Sequence, residues 1–66
     1  MKDLLEELIK QIKIWAKEDV RNNVGSNKLD DRIIASYEGL DNYEKEILSF
    51  NEFAKLYEEF YFKFLK

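Results

Sequence analysis

The chain has 66 residues with Cys 0, His 0 and a formal net charge of −3. That length lies near the lower limit for a domain that folds alone, and without Cys or His neither a disulfide nor a conventional structural zinc site can reinforce a weak core. At 45% hydrophobic and 15% aromatic the chain is too apolar for an acidic disordered tail, and no run approaches the roughly 18 apolar residues of a membrane span.

With Pro 0 and only Gly25 and Gly39, the chain favours helices separated by short turns. A first helix is expected over about residues 3–22. Leu4, Leu5, Leu8, Ile9, Ile12, Trp15, Ala16 and Val20 share one side, and Glu7, Lys10, Lys13, Lys17 and Glu18 take the other. Asp3, Glu6 and Glu7 suit the positive end of the helix dipole, whereas Asp19 has the less favourable sign for the other end. Ile14 stands opposite the stripe and is expected in solvent. The opening Met-Lys-Asp-Leu-Leu-Glu-Glu places acids where a signal peptide carries basic residues, so the expected location is the cytoplasm.

Arg21 to Asn27 should stop this helix, with Gly25 available for positive φ and Ser26 or Asn27 capping the next one. Val24 is expected to fold back as an anchor, and the short loop makes the first two helices antiparallel neighbours. A second helix over about 28–38 turns Leu29, Ile33, Ile34 and Tyr37 inward. Gly39 then bends the chain, Leu40 packs beneath the bend, and Asp41 with Glu44 matches a capping box.

The third helix, about 42–65, has the strongest pattern. Apolar or aromatic residues at 40, 43, 47, 50, 54, 57, 61 and 64 alternate between spacings of three and four, a helix period. Phe53, Leu56, Phe60 and Leu65 widen the face. Ser49 to Glu52 also matches a capping box, and Leu48 would face solvent on a continuous helix, so a break near Ser49 is the alternative to one unbroken element. Phe62 lies outside the stripe in either case. The fold expected is one all-α domain over 1–66, an antiparallel three-helix bundle with a long C-terminal helix.

Helices meeting at Gly25 and Gly39 invite comparison with a helix-turn-helix. From Asp31, the residues Ile34, Ala35, Gly39, Leu40 and Leu48 fall where such a unit wants apolar, small or turn residues. Glu38 and Lys45 fall where buried apolar residues are expected, and Asp41 and Glu44 would face a polyanion, so DNA binding is only a minor alternative. Catalysis lacks its usual nucleophile and base, metal and cofactor sites have no histidine or cysteine to build on, and no glycine-rich phosphate cradle is present. Membrane-surface binding would want a basic face, which the last helix does not offer.

Two features point toward contact with another protein. The aromatic arc of the last helix exceeds what two short helices can cover, leaving part of Phe60, Tyr61, Phe62 and Phe64 open. The acids Glu38, Asp41, Glu44 and Glu46 form a series suited to a basic surface. The function expected is therefore a small, acidic, non-catalytic protein-binding module, for example an inhibitor or regulator of a larger protein with a basic or apolar site. The alternative is a structural or assembly subunit acting as a homodimer or larger homo-oligomer.

Overall fold

The computed structural model describes residues 4–66 and is an all-α, compact arrangement of four helices. They are α1 (Leu4–Arg21), α2 (Ser26–Glu38), α3 (Asn42–Ile47) and α4 (Phe50–Leu65). The start expected at residue 3, and the charge of Asp3, lie outside the described residues.

On α1 the buried residues are Leu8, Ile12, Ala16 and Asp19, one line along the helix at spacings of four, four and three. The helix ends where Asn23 adopts φ 62°, and the Val24 N–H closes the turn on the Asp19 carbonyl at 2.9 Å. This corrects the expected role of Gly25, whose φ is −74°. Asparagine tolerates the left-handed region better than most residues because its short polar side chain bonds locally. With the chain already reversed at Asn23, α2 starts at Ser26. Gly25 is then the N-cap, without a side-chain hydrogen bond, and Ser26 and Asn27 lie inside the helix they were expected to cap.

Gly39 stays in the right-handed region, with φ −76° and ψ −11°. Leu40 is buried just beyond it. Asp41 and Glu44 form a reciprocal capping box: the Glu44 N–H donates to Asp41 Oδ1 at 2.9 Å, and the Asp41 N–H donates to Glu44 Oε1 at 3.2 Å. Four helices stand where three were expected, because residues 42–65 carry two of them. Leu48 is extended at φ −135° and ψ 117°, and Ser49 caps α4 by accepting from the Glu52 N–H at 3.4 Å. The extended backbone at Leu48 turns its side chain into the core, where it is 5% exposed.

The core joins Leu8, Ile12 and Ala16 of α1, Leu29 and Ile33 of α2, Leu40, Leu48, and Phe53, Tyr57 and Tyr61 of α4. Packing between α1 and α4 dominates. Trp15 meets Phe53 edge-on, Asp19 meets Tyr57 and Val24 meets Tyr61, so the partners rise together in number and the two helices run in the same sense. Several residues expected inside are exposed: Leu4, Ile34, Tyr43, Phe50 and Leu65. Ile33 takes the centre of the narrow α2 face and leaves Ile34 about 100° around the helix, and α3 is too short to bury any of its residues.

Candidate functional site

Asp19 is the one charged side chain in the core among the described residues, at 1% exposure. Its Oδ2 accepts a hydrogen bond from the Tyr57 hydroxyl at 2.5 Å. Its Oδ1 accepts from Arg32 Nε at 3.2 Å, and Arg32 Nη2 stands 3.1 Å away. One carboxylate thus ties α1 to α2 and α4. A buried charge is tolerated only when it is paired and hydrogen-bonded, and both oxygens of Asp19 meet that condition. Burial, reinforced by the bond to Asp19, pushes the Tyr57 hydroxyl well above the usual tyrosine range.

Two further tyrosines fasten chain junctions. The Tyr61 hydroxyl donates to the Val24 carbonyl at 2.5 Å, holding the loop between α1 and α2. The Tyr37 hydroxyl lies 3.5 Å from the carbonyls of Lys45 and Leu48, where α3 passes into α4. Together with Tyr57 on Asp19, these hydroxyls tie the helices and their connections to one another.

The sequence-predicted contact residues fall into two groups. Near the end of α4, Phe60 and Phe64 stack at 6.3 Å, both half-buried, with the Lys17 ammonium 6.0 Å from the Phe64 ring. Phe62 is 47% exposed, whereas Tyr61 is a core residue at 1%. The spacing through 54, 57, 61 and 64 carries Tyr61 along the buried line, and its hydroxyl is used internally, so it offers little surface to a partner.

Glu38, Asp41, Glu44 and Glu46 gather at the other end of α4, around the α2–α3 turn and α3. Glu38, Asp41 and Glu46 are exposed and Glu44 is half-buried. From Phe50 to Phe62 the helix rises about 18 Å, so the two groups do not form one patch. The acidic end has aromatics of its own: Tyr43 is 62% exposed and Phe50 is 40% exposed. Lys45 is half-buried, its ammonium 5.7 Å from the Tyr37 ring.

Two concavities border α1. A groove of about 370 Å³ runs against α4, walled by Leu5, Ile9, Leu48 and Leu56 and rimmed by Glu52, Lys55 and Glu59. A smaller cleft of about 180 Å³ lies against α3, lined by Leu4, Glu7, Leu8, Gln11, Glu44 and Ile47. Among the described residues, no group of three or more His, Cys, Asp or Glu is placed to hold a metal ion, and no helix is long and apolar enough to cross a membrane.

Asp19, Tyr43, Glu7 and Gln11 are additions to the sequence-predicted set. Asp19 had a legible signal, since it continues the line Leu8, Ile12, Ala16 on the apolar face. Glu7 and Gln11 had none, because their cleft depends on where α3 docks. Comparison with protein-family models, with curated proteins and with solved structures gave no match.

Proposed function

We propose that this chain is a non-catalytic protein-binding module whose α3 end engages a basic surface of a larger protein, in the manner of an inhibitor or regulator. The observation that carries this is Tyr43, 62% exposed on α3 beside the exposed acids Asp41 and Glu46, with Glu38 close by in the chain. An aromatic ring gives a partner large contact area at small entropic cost, while the carboxylates steer and orient a cationic surface. The framework supporting it is an up-down-up bundle of α1, α2 and α4, with α3 bracketing one end. The cytoplasm remains the proposed location.

The test is affinity capture from a lysate of the source organism with the wild-type chain, a Tyr43→Ser variant and a Glu38→Lys/Glu46→Lys variant. Glu44 is left in place because its carboxylate closes the capping box. Loss of the same captured protein in both variants supports the proposal, and retention in both overturns it. Homo-oligomerisation is favoured instead by the exposure of Phe62 and Leu65 at the far end of α4. Light scattering of the wild type and of Phe62→Glu distinguishes it: a dimer that becomes a monomer on this substitution identifies an assembly contact.

A further inference from the structure

The cleft between α1 and α3 differs in kind from the larger groove. Leu8 is buried, and with Leu4 and Ile47 it makes an apolar wall. Among the described residues the polar lining is Glu7, Gln11 and Glu44, with no cationic residue, whereas the larger groove carries Lys55 between its acids. Glu44 commits Oε1 to the Asp41 N–H and keeps Oε2. Neither Glu7 nor Gln11 has a side-chain partner among the described residues. At about 180 Å³ the cleft is smaller than the roughly 300–1,000 Å³ of small-molecule sites.

An aliphatic wall, two carboxylates from different helices and an amide oxygen suit one chemistry well. A long side chain with an apolar stem and a cationic head lays its methylenes on the leucines and presents its donors to the oxygens. We propose that the α1/α3 cleft receives a single arginine side chain of the basic partner. Arginine is chosen over lysine because its planar fork of five N–H donors can address two carboxylates and an amide together. This deepens the protein-binding proposal and rests on it: the cleft takes Glu44 and Ile47 from α3, the same short helix that carries Tyr43, so anchor and aromatic contact share one element.

The probe is N-acetyl-arginine N-methylamide, titrated into the full chain at near-physiological salt and followed by amide chemical shifts. Its neutral isostere, the citrulline analogue, is the control. The expected result is saturable millimolar binding with shifts centred on residues 4–11 and 44–47, absent with citrulline. Glu7→Gln/Glu44→Gln should weaken it by roughly tenfold or more, as expected for lost charge-assisted hydrogen bonds. Glutamine at position 44 preserves the capping box, and Glu7→Gln alone, at an exposed site, must also weaken binding.

Shifts spread evenly over the acidic surface, equal binding of citrulline, or full binding by the double variant would each overturn the cleft assignment. If arginine fails to bind the cleft while a captured protein still depends on Tyr43, the pocket is wrong and the binding role stands. If no protein is captured, the binding role fails whatever the titration shows.

Discussion

Replacing Tyr57 with phenylalanine removes one hydroxyl from the centre of the molecule and leaves the ring in place. Asp19 keeps Arg32 on Oδ1, but Oδ2 loses its donor in a site where Asp19 is 1% exposed and water has no access. A hydrogen bond to a charged group contributes about 1.5–3 kcal/mol, and an orphaned buried acceptor costs its full desolvation. Total stability for a chain of this length should be on the order of 3–10 kcal/mol, so the loss is a large fraction of it. At roughly 4–8 °C per kcal/mol, Tm should fall by about 10 °C.

Tyr61→Phe is the internal comparison. It removes a hydroxyl from an equally buried ring on the same helix, but the acceptor is the neutral Val24 carbonyl, and the expected loss is about 1 kcal/mol. Urea unfolding followed by circular dichroism measures both. An Asp19→Asn/Tyr57→Phe double-mutant cycle should return a coupling of about 0.5–3 kcal/mol. A Tyr57→Phe variant that loses no more stability than Tyr61→Phe would refute the charged centre as the principal polar tie between the helices.

Leu48→Ala should cost about 2–4 kcal/mol in the same urea assay, since Leu48 is buried; a leucine on the solvent side of an unbroken helix would cost less than about 0.5 kcal/mol. Because the folded state holds the Tyr57 hydroxyl above its ordinary value of about 10, its contribution is complete below pH ~10 and is lost as pH rises beyond it. The urea midpoint should therefore hold up to about pH 10 and fall as pH rises above it, less steeply in Tyr57→Phe; equal slopes would contradict this. Gly25→Asp supplies the side-chain cap α2 lacks and should raise stability by about 0.5 kcal/mol, once the exposed Asn27 side chain, 2.7 Å from the new Cβ, turns away; a lower thermal midpoint would contradict it.

The elements with local causes were legible in the chain. The spacing of Leu8, Ile12 and Ala16 defines the buried line of α1, and Asp41 with Glu44 marks the start of α3. Leu40 packs beneath the turn as its position implies. Asn23 rather than Gly25 reversing the chain was less legible, because several turn-forming residues stand together and the docking of Val24 against Tyr61 selects among them. Ile34 and Tyr43 carry helix-period positions yet remain exposed, because a periodic pattern says which face is apolar and not how much of it a neighbour covers.

The contact surface was legible only in its residue types. Exposed acids and surplus aromatics follow from composition and spacing, but their distribution to two ends of α4 follows from the docking of α3. Asp19 joins residues 13 and 38 positions away, a relation that no local pattern expresses. Its place on the apolar line is nevertheless visible, and a carboxylate on such a line calls for buried donors elsewhere in the chain.

The functional claim is tested most directly by the amide-exchange footprint of a captured partner on this chain. Protection is expected to concentrate in residues 38–50 and in the facing first half of α1, with the end of α4 around Phe62 exchanging as in the free chain. Protection confined to residues 60–65, with the α3 end unchanged, would contradict it.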